Sequence, residues 1–438
     1  MDQLAPEIIS NIISYLVPKR DSCFSDDSII TEGPPLAPLA TLCRQWLPLV
    51  EEVLFRELRL CSDTLSADSD ILTPTRLSYL RQLDLIFKIP NCPSCPIPDE
   101  KWNPPEFDSV VVQLFSLLAK IPLRDEPLLA LCFKIPPPQS SDKCAHDHFK
   151  TGLLDQTQSG ASKAQSHLPE LPMVRFFAIH NSYRRFVYSP RSFCLMASKM
   201  IRVRELDLGL CYFEKVSPLM EQRNELAQVL GNLPSSIYWF ALAFRQYGPN
   251  TDSVPAQGEE DMLTREIRRF SQRKGLKDFS FEGSVESTVF WPPDSDTTEA
   301  RSWPGLKSFI VKPYDISPSG KRLVIRKGWR DAPGAADVRK KYPEVGPMNE
   351  FFLAGARCVA HMPKAEYFSI ELDDSWYTNL SFCTQFPEDP CLSVMGTGGG
   401  GLSLYKETVE EWRKTVGIHN LDFCMQVEDE DNEFIERR

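Results

Sequence analysis

The sequence has little of what marks a membrane, secreted or nucleic-acid-binding protein. No stretch approaches the roughly 20 apolar residues that a bilayer-spanning helix needs. The opening Met1-Asp2-Gln3 carries no basic n-region, and no secretory h-region follows. Basic residues are outnumbered, 49 Lys and Arg against 60 Asp and Glu, for a formal net charge of −11. Phosphate backbones repel such a chain. No basic stripe compensates: Arg184-Arg185, Arg268-Arg269 and Lys340-Lys341 are isolated pairs. Neither nucleic acid nor a membrane is therefore expected as a partner. The 13 Cys are odd in number and scattered, as free thiols of a reducing compartment are. A cytoplasmic or nuclear location is expected.

Catalytic signatures are also missing. There are 6 His, none in an H-E-x-x-H pattern. No G-x-S-x-G elbow occurs. The carboxylate pairs Glu259-Glu260, Asp373-Asp374 and Glu410-Glu411 are adjacent in sequence, where side chains diverge, and read as solvated charge. The run Gly396 to Gly401 lacks the Lys and Ser/Thr of a phosphate-binding loop and reads as a linker. Thiolate and imidazole ligands could hold zinc at Cys92, Cys95, Cys144 and His146. The two halves of that set lie far apart in sequence, and prolines around Cys92 and Cys95 favour a turn. The expectation is no metal, no cofactor and no enzymatic activity.

What is present is enough for a large fold. At roughly 100–200 residues per domain, 438 residues make two or three domains or one long array. The 36 Pro predict short elements with rigid turns between them. Pro6 suits the first position of a helix, and Glu7 suits its positive end. Ile8, Ile9, Ile12, Ile13 and Leu16 then fall on one apolar face. Residues 19–33 read as a loop. Leu39, Cys43, Trp46, Leu47 and Val50 predict a second helix, which Pro48 breaks. A third is predicted around Val53, Leu54 and Leu58. Three short helices are too little to be stable alone, so they should cover their apolar faces with a partner, the next domain, or both.

In order, these residues resemble an F-box. The opening is Leu4, Glu7 and Ile8; the core is Leu39, Leu42, Cys43, Arg44 and Trp46; the close is Leu54, Phe55, Arg56 and Leu58. Pro6 stands one place later than the family's proline, and the gap after the first helix is longer than usual. The resemblance covers residues 1–60. It implies docking on a Skp-type adaptor, and through it on a cullin scaffold. The implied adaptor-binding residues are Leu4, Pro6, Ile8, Ile9, Ile12, Leu39, Cys43, Trp46 and Val50.

Beyond Leu60, short apolar runs alternate with amphipathic stretches. The runs are 80–87, 128–133, 174–179, 203–208, 236–244, 276–281, 306–311, 365–372 and 419–425. Leu80-Arg81-Gln82-Leu83-Asp84-Leu85 and Val203-Arg204-Glu205-Leu206-Asp207-Leu208 resemble the leucine-rich-repeat signature. Helices are predicted over 107–120, 192–200, 220–233, 259–273, 348–362 and 405–416. The spacing is too uneven for a regular array, but the alternation predicts stacked αβ units with a mostly parallel sheet. An ordinary compact α/β domain is the alternative.

The expected fold is α/β, α+β overall. A three-helix F-box-like cluster at 1–60 precedes an irregular leucine-rich-repeat-like solenoid at 61–427. A loose insertion is expected near 139–167, and an acidic tail at 428–438. The layout resembles fungal F-box proteins with an uncharacterised C-terminal domain, whose ending is similar to Lys406 to Trp412 followed by His419 to Val427. The resemblance implies a substrate-recognition adaptor of an SCF-type ubiquitin ligase, with an unknown protein substrate. The alternative is a protein-interaction scaffold outside ubiquitination, whose first helices only cap the repeat domain. A hydrolase would need a convergent nucleophile and base.

Overall fold

The computed structural model describes residues 4–16, 36–42, 44–68, 70–87, 105–134, 149–151, 168–180, 186–188, 190–213, 219–247, 260–292, 301–326, 341–372, 379–385, 391–395 and 403–428. The zinc candidates Cys92, Cys95, Cys144 and His146, the glycine run, most of the 139–167 insertion and all but the first residue of the acidic tail lie outside these residues.

The chain opens with helix α1 (Pro6–Leu16), a 3-10 turn (Ala37–Thr41) and helix α2 (Trp46–Leu54). Strand β1 (Glu57–Cys61), short helices α3 (Leu65–Asp68) and α4 (Pro74–Tyr79), and strand β2 (Gln82–Ile86) follow. Then helix α5 (Pro105–Leu118) leads to β3 (Leu129–Lys134), β4 (Phe149–Thr151), β5 (Val174–His180) and β6 (Phe186–Tyr188). Helix α6 (Pro190–Lys199) precedes β7 (Glu205–Phe213), α7 (Leu219–Leu230) precedes β8 (Trp239–Tyr247), and α8 (Met262–Ser271) precedes β9 (Asp278–Gly283). Next come β10 (Ser308–Pro313), the strands β11 (Val324–Arg326) and β12 (Lys341–Pro343), and α9 (Val345–Ala360). The described chain ends with β13 (Tyr367–Glu371), β14 (Asn379–Cys383), β15 (Leu392–Met395), α10 (Lys406–Ile418) and β16 (Met425–Glu428).

Twelve strands form one open sheet in the order β1-β2-β3-β5-β7-β8-β9-β10-β13-β14-β15-β16. Strand order follows chain order, and the pairs are parallel except β13-β14 and β14-β15. Two small sheets, β4-β6 and β11-β12, lie apart from it. The protein is thus α/β with a mostly parallel open sheet. Among the described residues, no helix is long and apolar enough to cross a membrane.

Alternation decides which face the strands bury. In β9, Phe279 and Phe281 are buried while Asp278, Ser280 and Glu282 are half-buried. The inward residues join helix residues such as Leu226, Leu230, Ile267 and Phe270 in one continuous core. Aromatic rings run along it: Phe240, Phe279 and Phe309 stand in successive strands at centroid spacings of 5.6 and 5.4 Å. Two glycines permit close approach. A Cβ on Gly305 would lie 2.3 Å from the Lys274 carbonyl oxygen, and one on Gly355 in α9 would meet the Phe368 ring at 2.9 Å.

Helix C-termini adjoin the starting ends of the strands, and arginines satisfy their unpaired carbonyls. Arg81 donates from Nη1 to the Leu80 carbonyl at 2.9 Å, at the end of α4. Arg273 donates to the carbonyls of Gly231 and Leu233 at 3.0 and 2.9 Å, past the end of α7. A buried ion pair joins α7 to α8. Arg223 Nε and Nη2 donate to the Asp261 carboxylate at 2.9 and 2.5 Å, and Nη1 donates to the Ser284 carbonyl at 2.8 Å. Asp261 also caps α8, accepting from the Thr264 amide at 2.8 Å and its hydroxyl at 2.7 Å. Burial alone would raise the Asp261 pKa. The Arg223 charge and these hydrogen bonds outweigh it and hold the carboxyl below its ordinary range.

Three expectations about the opening segment need correction. The second helix does not reach back to Leu39, which lies in the 3-10 turn, and α2 begins only at Trp46. Pro48 does not break α2, because it lies in the first turn, where its missing N–H costs nothing. The expected third helix is the end of α2 followed by strand: Val53 and Leu54 close α2, and Leu58 belongs to β1, parallel to β2.

Candidate functional site

Helix α1 has two apolar faces. Ile9 and Ile13, four residues apart, are buried at 0% and 1% exposure. They meet Trp46 and Val50 of α2 in a core separate from that of the sheet. Leu4, Leu36, Leu39 and Leu49 pack around it. The indole N–H of Trp46 is buried and finds no acceptor among the described residues.

The other face of α1 points outward. Ile8, Ile12 and Tyr15 are exposed at 49%, 38% and 90%. Their spacing of four and three residues places them on one side of the helix. Leu42 and Leu47, before and at the start of α2, are also exposed. Four large apolar side chains on α1 and α2, and Leu42 before α2, are thus left exposed in one short segment.

The nine sequence-predicted docking residues therefore divide. Ile8, Ile12 and Pro6 face solvent, and Leu4 and Leu39 are half-buried. Ile9, Trp46 and Val50 are interior to the cluster. Cys43 lies outside the described residues. The single apolar stripe drawn through Ile8, Ile9, Ile12 and Ile13 is in fact two stripes, one holding the cluster together and one free of it. Tyr15, Leu42 and Leu47 were missed as outward residues. The signal for Tyr15 was its place three residues after Ile12, obscured by the tyrosine hydroxyl.

The cluster is fixed to the sheet by a clamp. Arg76 of α4 donates to Glu51 Oε1 of α2 from Nη2 at 2.6 Å and from Nε at 3.1 Å. Its guanidinium carbon stands 4.9 Å from the centre of the Phe55 ring. Arg76 Nη1 also donates to the Ile71 carbonyl at 2.9 Å. One planar cation thus holds the end of α2, its own helix and the preceding loop. Beyond it, Arg56 lies 3.7 Å from Glu52, both well exposed.

Elsewhere, polar groups are engaged in structure. His361 Nδ1 and His419 Nε2 lie 2.9 and 3.0 Å from backbone carbonyl oxygens. Asp84 on the open face of the sheet stands between Lys134 at 2.9 Å and Arg59 at 3.6 Å. Among the described residues, no group of three or more His, Cys, Asp or Glu side chains is placed to hold a metal ion. No protein-family model matches this chain, and neither does any curated protein or solved structure.

Proposed function

We propose that this protein is the substrate-recognition adaptor of an SCF-type cullin–RING ubiquitin ligase. On this reading the F-box-like opening docks on a Skp-type adaptor, and the sheet domain, an irregular leucine-rich-repeat-like solenoid, holds a protein substrate. The observation that carries the reading is the outward face of Ile8, Ile12 and Tyr15, with Leu42 and Leu47 of the same segment also exposed. It lies within the segment whose ordered residues resemble an F-box, and it is left uncovered after the cluster has buried Ile9, Ile13, Trp46 and Val50.

The Arg76 clamp supports the same role. A recognition domain presents its cargo at a defined position only if its link to the docking helices is stiff, and proximity and orientation are what such an adaptor contributes. Transfer chemistry would belong to other subunits.

The test is a pull-down of the full chain with a recombinant Skp-type adaptor. Ile8→Asp, Ile12→Asp changes only the outward face. Each isoleucine is worth roughly 1.5–3 kcal/mol when buried, so the pair should weaken binding about a hundredfold or more. Trp46 is unsuitable for this test, since its loss would empty the cluster. Binding by the wild type and loss in the double variant, with circular dichroism unchanged, is the expected result. No binding by the wild type would favour a capping role for the first helices, a reading the Arg76 clamp also fits.

A further inference from the structure

Three cysteines stand side by side at the far end of the sheet, on β14, just before β15 and just before β16. Phe382 pairs with Leu392, and Leu392 with Met425. Cys383 therefore lies opposite Cys391, and Cys391 opposite Cys424. The Cys383 amide donates to the Cys391 carbonyl at 3.1 Å, and the Leu392 amide to the Cys424 carbonyl at 3.2 Å. Phe382, Leu392 and Met425 are buried in the core, and Cys391 sits at the margin of the same core, with Cys424 beside it at the start of β16.

The three thiols differ in access. Cys424 is exposed, Cys383 is intermediate and Cys391 is buried at 7%. The Cys391 sulfur lies 3.3 Å from the carbonyl oxygens of both Asp422 and Cys424, which turns it toward β16 rather than β14. Neighbouring strands run about 4.7–4.9 Å apart, inside the roughly 4.4–6.8 Å between Cα atoms that a disulfide spans. The other described cysteines, Cys61, Cys132, Cys194 and Cys358, lie on β1, β3, α6 and α9, with no such neighbour.

We propose that Cys391 and Cys424 form a modification site for hydroperoxides, closing a reversible disulfide between β15 and β16. The exposed Cys424 thiolate attacks the peroxide oxygen and becomes a sulfenic acid, and the first water leaves. The Cys391 thiol then attacks the sulfenic sulfur, its proton leaving with the hydroxyl as the second water. Two thiols lose two electrons and two protons, and one hydrogen peroxide is reduced to two waters. Burial raises the Cys391 thiol pKa, against the opposing pull of its hydrogen bond to the Cys424 carbonyl. Access divides the labour: the peroxide reaches the exposed Cys424, and the buried Cys391 beside it resolves the sulfenic acid. The bond would tie the last strand of the sheet to β15 around α10, independently of the role assigned to the first helices.

The experiment treats the full chain with a small excess of hydrogen peroxide. Remaining thiols are blocked with N-ethylmaleimide under denaturing conditions, and peptides are mapped without reduction. The expected product is a Cys391–Cys424 linked peptide that dithiothreitol removes. Cys424→Ser, a surface change, should abolish it while leaving the fold intact. A Cys383–Cys391 link would overturn the proposal. So would Cys424 recovered as sulfinic acid beside an alkylated Cys391, or both cysteines recovered fully alkylated.

Discussion

The sheet domain and the segment before it solve the same problem on different scales. In the sheet domain, strand after strand adds a buried row to one core that the helices share. The opening segment buries four hydrophobic side chains in a core of its own and leaves five more outside. Chain length explains much of the contrast, since small units bury a smaller share of their surface. It does not explain why the remaining apolar residues of α1 gather on one side. A helix with two apolar faces is economical only when the second face is covered part of the time.

The comparison can be broken first at the ion pair within the sheet domain. Asp261→Ala leaves Arg223 buried without its partner and should cost about 3–5 kcal/mol, read by chemical denaturation. Acid should act through the same group. Its folded pKa is depressed, so the stability it adds is complete above the unfolded carboxylate pKa of roughly 4. That stability is lost as pH falls through the folded value. Wild type should therefore lose stability on acidification more steeply than Asp261→Asn, while exchange protection in α1 follows no such difference.

Next in size is the contrast between adjacent residues of α1. Ile13→Ala removes interior contacts and should cost about 2–5 kcal/mol of local stability, read as faster amide exchange over residues 6–16. Ile12→Ala should stay within about 0.5 kcal/mol, and on the proposed function it should weaken adaptor binding. Equal effects of the two would show that α1 has one face and not two. Within the sheet domain, Gly355→Ala drives a methyl toward the Phe368 ring. It should cost about 1–3 kcal/mol by overpacking, with α1 unaffected.

How far the sequence could be read follows the same division. Alternation in Leu206 and Leu208, or Phe279 and Phe281, announced strands that the structure aligns in register on either side of β8 in a parallel sheet. The six long helices fell where helical spacing of apolar residues put them, as with Leu226 and Leu230 of α7. Three strands of the sheet were not foreseen, and β16 (Met425–Glu428) shares only Met425 with the run expected over 419–425. Glu57 to Cys61 was hidden because its Leu58 and Leu60 also continue the helical spacing of α2. Asn379 to Cys383 and Leu392 to Met395 are short edge-region strands, with only two inward residues each. At the candidate site, helical spacing located the apolar residues of α1 but could not say which face is covered. That depends on where Trp46 and Val50 pack, which is tertiary information. The cysteine row is likewise invisible in sequence, because its members are brought together only by strand register.

The last expected effect bears most directly on how the two regions are joined. Arg76 is partly exposed, as is Glu51, so solvent weakens the pair. Its two-pronged geometry and the Phe55 ring beneath it raise its worth above an ordinary surface contact. Arg76→Ala should cost about 1 kcal/mol overall. The global unfolding midpoint would barely move, since the large core is untouched. Exchange in α2 should rise without change in β7 or β8. A double-variant cycle with Glu51→Ala isolates the pair from the ring contact. If Arg76→Ala leaves α2 exchange unchanged, the helices are held by the chain connection and β1 alone. If it loosens α2 while adaptor binding persists, the clamp sets the orientation of the sheet domain and not the strength of docking.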